Sequence, residues 1–186
     1  ETHDASGNTV TLGDPSSMGD GIANNDSVFT TSIDTVTSLN INGSWNNNGN
    51  IASLIGIEDF DSLRILYCRF NQLTSLDISS NILLQELHCY SNQLTSLDVS
   101  QNTALTYLNC GYNQLTSLNV SQNTALTELY FYDNQLTSLD VSQNTALTEL
   151  DCYENQLTSL DVSQNTALTS LNCSDNQLTS LDVSQN

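Results

Sequence analysis

From residue 71 onward the apolar positions obey one rule and repeat it. Leu73, Leu76 and Ile78 are followed by Leu84, Leu87 and Cys89, and the same frame returns as Leu94, Leu97, Val99, Leu105, Leu108 and Cys110, with a period of 21 residues. Within the frame, Leu108 and Cys110 stand two apart, a spacing that puts both side chains on one face of an extended strand. No stretch of ten residues carries a helical period, and Thr, Val, Ser and Asn are indifferent helix formers. Each 21-mer divides into two half-units of the form LxxLx(C/V)xxN, so the pattern predicts one coil per repeat. A parallel strand is expected over 106–110, a shorter extended segment around 117–120, and a turn at each Asn. A single coil cannot bury its own leucines, and stacked neighbours must do it. At ~1.5–3 kcal/mol per buried large apolar side chain, five or so per coil suffice to drive the stacking.

The polar positions show how far the array extends. Asn-Gln-Leu-Thr-Ser-Leu begins at Asn71, Asn92, Asn113, Asn134, Asn155 and Asn176. Ile51-Ala-Ser-Leu54 lines up with Leu73-Thr-Ser-Leu76 as an irregular earlier unit. Val36, Leu39 and Ile41 read as a still earlier strand, followed by an insertion over 42–50 that carries Trp45. Residues 1–35 differ in kind: they are rich in Gly, Ser, Asp, Asn and Thr and contain the only Pro15 and Met18. They are expected to form an N-terminal cap or flexible leader, ahead of irregular repeats over 36–70 and regular ones over 71–186. The apolar Leu178, Leu181 and Val183 of the last half-coil lack a covering coil, which predicts end-on self-association, a disordered end or a further stretch of chain.

The string LxxLxCxxNxLxxLDVSxN resembles the leucine-rich repeat family, and its 21-residue double grammar resembles the subtype called IRREKO, common in secreted and surface proteins of bacteria. The resemblance covers about residues 36–186. It implies a right-handed, horseshoe-like leucine-rich repeat solenoid, with a parallel β-sheet on the concave side, short extended or irregular segments on the convex side, and little or no α-helix. It also implies a secreted or cell-surface location and a protein-binding role whose specificity lies in the variable positions.

Composition narrows the partners. With 21 acidic and 2 basic residues the formal charge is −19, which repels nucleic acid phosphates and anionic lipid. No apolar run approaches the ~20 residues of a membrane span, so no direct membrane insertion is expected. The ladder of Asn92 and its copies, and that of Asn81 and its copies, fit turns whose backbone groups need an amide that both donates and accepts. Cys68, Cys89, Cys110, Cys152 and Cys173 share one core position, with Phe131 on the missing rung. They project in parallel and lack CxxC spacing, so they read as buried apolar filler rather than as metal ligands.

Strict copying of the frame contrasts with drift beside it. The residues expected on the concave face form four rows: Ile65, Glu86, Tyr107, Glu128, Glu149 and Ser170; then Tyr67, His88, Asn109, Tyr130, Asp151 and Asn172; then Arg69, Tyr90, Gly111, Tyr132, Tyr153 and Ser174; and lastly Phe70, Ser91, Tyr112, Asp133, Glu154 and Asp175. All seven tyrosines of the chain fall in these rows. Tyr offers an apolar face and a hydroxyl at modest entropy cost, which is why binding surfaces favour it. The expected ligand-binding set is Tyr67, Glu86, His88, Tyr90, Tyr107, Tyr112, Glu128, Tyr130, Tyr132, Glu149, Asp151 and Tyr153, for a basic protein segment or a glycan. The competing reading is a tyrosine ladder that only steadies the sheet.

Asp77, Asp98, Asp140, Asp161 and Asp182 form a second ladder, on the convex side. Together with Asp14, Asp20 and Asp26 of the leader they could serve Ca²⁺, a hard ion that wants six to eight oxygens; a solvated face is the plainer account, and no cofactor is required. Glu128, Glu149 and Asp151 stand on adjacent rungs like paired glycosidase carboxylates. An open, wet sheet, however, raises no pKa and encloses no substrate, and no phosphate loop or nucleophile elbow is present. The expectation is a non-catalytic recognition or adhesion module. The alternative is a structural spacer of a larger surface protein with Ca²⁺-assisted self-association.

Overall fold

The computed structural model describes residues 2–3, 9–10, 33–44, 49 and 51–186. Two short strands, β1 (Thr2–His3) and β2 (Thr9–Val10), pair antiparallel. The remaining strands form one seven-stranded parallel sheet in chain order: β3 (Ser38–Asn40), β4 (Ile65–Tyr67), β5 (Glu86–His88), β6 (Tyr107–Asn109), β7 (Glu128–Tyr130), β8 (Glu149–Asp151) and β9 (Ser170–Asn172). The fold is a parallel-sheet solenoid. A 3₁₀ turn at Ile57–Asp59 lies in the irregular part.

Register follows burial. Leu66, Leu87, Leu108, Leu129, Leu150 and Leu171 pair strand by strand in one line. Slipping by one residue would turn every leucine out to solvent. Behind the sheet the leucines of both half-units, the valines and the cysteines form one continuous core. Cys68, Cys89, Cys110 and Cys152 are buried free thiols, and burial pushes the first, third and fourth up to about 12. They stay protonated and behave as apolar filler. Phe131 takes their rung with 0% exposure.

The strands are shorter than the hydrophobic pattern predicts, three residues rather than five. A turn follows each of β4–β9. Phe70, Ser91, Tyr112, Asp133, Glu154 and Asp175 all adopt left-handed backbone, with φ between 50° and 57°. That conformation costs a non-glycine residue ~1–2 kcal/mol. The next residue, the repeated Asn, holds it in place. Asn92 donates from Nδ2 to the carbonyls of Cys89 and Cys68, each at 3.0 Å, and its Oδ1 accepts from the backbone N–H of Leu73 at 3.0 Å. One amide thus closes its own turn and ties it to the preceding coil.

The second Asn ladder works differently. Asn123 donates to the carbonyls of Val99 (2.9 Å) and Asn102 (2.8 Å), and Asn102 and Asn144 repeat the pattern. Among the described residues the buried Oδ1 atoms of Asn81, Asn102, Asn123, Asn144 and Asn165 have no hydrogen-bond partner. The convex segment around 117–120 joins no strand. Its Asp side chains close small turns instead: Asp98 Oδ1 accepts from Ser100 N–H at 2.9 Å, and Asp140 and Asp161 match it. The alignment of Ile51 with Leu73 is visible in the hydrogen bonds, since Gln72 N–H donates to the Ile51 carbonyl as Gln93 N–H does to that of Leu73.

Candidate binding face

Strand alternation sets the outer surface. In β5, Leu87 is buried while Glu86 and His88 flank it half-buried, and β4, β7 and β8 show the same alternation. The first three rows read from the sequence therefore share the sheet face opposite the core. The fourth row lies in the left-handed turns at its margin. Sequence reasoning missed this because no glycine marks those positions.

The aromatic side chains gather in two groups. Tyr67 stacks on His88 (centroids 4.5 Å apart, planes at 27°), His88 on Tyr107 (4.3 Å, 26°), and Tyr107 leans on Tyr130 (5.4 Å, 43°). This stack crosses from the second row to the first and back, because Asn109 stands on the second-row rung between His88 and Tyr130. Asn109 is itself buried, with its Oδ1 accepting from Gly111 N–H. In the other group Tyr132 stacks on Tyr153 (5.3 Å, 15°) and meets Tyr112 edge-on, while the hydroxyls of Tyr112 and Tyr153 lie 3.0 Å apart. Gly111 makes room here: a Cβ on it would fall 2.4 Å from the Tyr132 ring. Tyr90 meets Phe70 edge-on, with centroids 5.1 Å apart, and its hydroxyl accepts from Arg69 Nη1 at 2.8 Å.

Charge is arranged around the rings. The Tyr130 hydroxyl lies 2.7 Å from Oε2 of Glu128 and 2.7 Å from Oε2 of Glu149. One proton serves two carboxylates, and partial burial together with both acids pushes the phenol's pKa up, so this sheet does perturb titration, contrary to the expectation from the sequence, because its rows are half-buried rather than fully wet. Burial pushes His88 below its usual range, against a raising bond from Glu86 at 3.4 Å; the imidazole is therefore neutral at pH 7 and stacks as an aromatic. Asp151 Oδ1 accepts from Tyr153 N–H.

The convex ladder is separate. Asp77, Asp98, Asp140 and Asp161 are exposed, and bonds from the Ser two residues on hold their pKa values below the ordinary range. Among the described residues no three His, Cys, Asp or Glu side chains converge on a possible metal position. Asp14, Asp20 and Asp26 lie outside the described residues. No helix of the described residues is long and apolar enough to cross a membrane.

This architecture has known counterparts. The leucine-rich repeat family model matches residues 82–123, 124–165 and 145–186, and the chain belongs to that family. Among solved structures, the functional domain of internalin InlJ from Listeria monocytogenes, which includes a cysteine ladder, is 37% identical, covers 85% of this chain and aligns with a TM-score of 0.53. Internalin InlF of the same organism is 27% identical over 83% of the chain (TM-score 0.72). A leucine-rich repeat protein of Leptospira interrogans is 27% identical over 84% (TM-score 0.75). The chain spans 44%, 46% and 42% of those three chains' own lengths. No curated protein sequence matches it. The fold is typical of protein-binding modules, and leucine-rich repeat proteins are generally non-catalytic scaffolds.

Proposed function

We propose that the chain is a non-catalytic recognition or adhesion module, secreted or displayed on a bacterial surface, whose acidic, tyrosine-rich concave face binds a protein or glycan partner. The observation that carries this reading is the split between copied and varied positions. The buried frame repeats nearly verbatim, while the half-buried rows of the sheet hold all seven tyrosines or border them. A face needed only for stability could repeat as strictly as the core. The test is the triple change Tyr107→Ala, Tyr130→Ala and Tyr132→Ala, assayed on a glycan array and a panel of purified extracellular protein domains. Binding should be lost while Tm stays within a few degrees. If Tm collapses and every ligand of the wild type is retained, the tyrosines are scaffolding.

A structural spacer is the second reading, and it is favoured by the bonds among the rings themselves, such as that between Tyr112 and Tyr153. Its cation-assisted form is checked by light scattering during a Ca²⁺ titration; an unchanged mass at millimolar Ca²⁺ removes it.

A further inference from the structure

The binding face is electrically divided along the solenoid. Over β4–β6 it carries Arg69 and Glu86, which cancel, together with the half-buried stack of Tyr67, His88 and Tyr107. Over β7–β9 and the turns that follow, it carries Glu128, Asp133, Glu149, Asp151, Glu154 and Asp175, and no cation. At neutral pH His88 adds no charge to the first half. Such a face has an apolar pole and an acidic pole.

We infer that this face receives an extended, arginine-bearing segment of a protein partner, in one orientation: an apolar or aromatic side chain against the outer margin of the Tyr67–His88–Tyr107 stack and an arginine at the Glu128–Glu149 pair. This rests on the recognition reading above and names its partner class. Charge complementarity selects a cation over the acidic half. Arginine suits it better than lysine, because a planar guanidinium can meet carboxylates in fork geometry and lie flat on a phenol ring. Both kinds of group are present in one cluster, since the Tyr130 hydroxyl lies 2.7 Å from an oxygen of Glu128 and from one of Glu149. At that point a single hydroxyl proton is shared by two carboxylates, and the guanidinium supplies the donors the phenol lacks. The two poles are two rungs apart, ~10 Å at the ordinary strand spacing, which an extended segment covers in about three residues. The partner motif is therefore an apolar or aromatic residue about three positions from an arginine.

The experiment is selection from a random peptide display library on the full chain, followed by anisotropy measurements on the enriched peptides. Enriched sequences should carry Arg about three positions from an apolar or aromatic residue. The isosteric pair Glu128→Gln and Glu149→Gln should weaken them ~10-fold or more and flatten their salt dependence. A control pair removing equal charge from the convex side, Asp98→Asn and Asp161→Asn, should leave affinity within about twofold, since those positions lie away from the face. Neutral or acidic winners, equal loss in the control pair, or a library that yields no binders would overturn the inference. If selected peptides lack arginine yet depend on Tyr107, the recognition reading stands and this one falls. If no binder responds to any concave substitution, both fall.

Discussion

Asn113 and Asn123 occupy equivalent corners of one coil, and their bonds predict unequal importance. The Asn113 side chain donates to the carbonyls of Cys89 and Cys110, and its Oδ1 accepts from Leu94 N–H. Among the described residues that N–H has no other partner. Asn123 donates to two carbonyls that each already accept a backbone N–H, from Asn102 and Leu105, and its own Oδ1 is unbonded. Asn113→Ala orphans a buried donor and is expected to cost ~3–5 kcal/mol. Asn123→Ala loses two supplementary bonds and sheds an unsatisfied oxygen, for ~1–2 kcal/mol. Urea denaturation of the two variants checks the ordering, and equal losses would refute this account of the ladders. Both asparagines were legible in the sequence as turn residues. Their inequality was not, because it depends on which backbone groups a neighbouring coil supplies.

At the scale of the element, the coil around β7 is the exception in the array. Phe131 fills the rung that Cys occupies elsewhere and is wholly buried. Phe131→Cys would make the cysteine ladder continuous, yet it is expected to destabilise by ~2–4 kcal/mol, because the space left behind closes only in part. A neutral result would mean the core is slack at this point. The apolar frame announced every strand of the main sheet, including β3, through Val36, Leu39 and Ile41. It overestimated strand length, and it missed the left-handed residue between Arg69 and Asn71 and its five copies, which carry no glycine signal. The same blindness applied to the aromatic stack. Alternation places His88 and Tyr107 in different rows, and only the coordinates show their rings 4.3 Å apart.

For the whole molecule the dominant long-range term is its own charge. A chain at −19 repels itself when compact. Salt shortens the reach of that repulsion from about 10 Å at 0.1 M to about 3 Å at 1 M. Tm followed by circular dichroism should therefore rise by several degrees as NaCl increases over this range. A flat or falling Tm would show that local turn bonds at Asp98 and its copies, rather than mutual repulsion, govern the electrostatics.

The sequence by itself determined the solenoid, its period, its register and which side chains face inward. These follow from a 21-residue apolar repeat that has only one way to be buried, coil upon coil. It also marked out the varied rows, since positions free of burial are the ones free to change. Only the tertiary structure decided which of those residues touch: the ring stack through His88, the space Gly111 gives Tyr132, and the two carboxylates on one phenol. Such contacts lie about 20 residues apart along the chain. Their distances and angles come from how far each coil is displaced and turned relative to the last, and no local pattern encodes that.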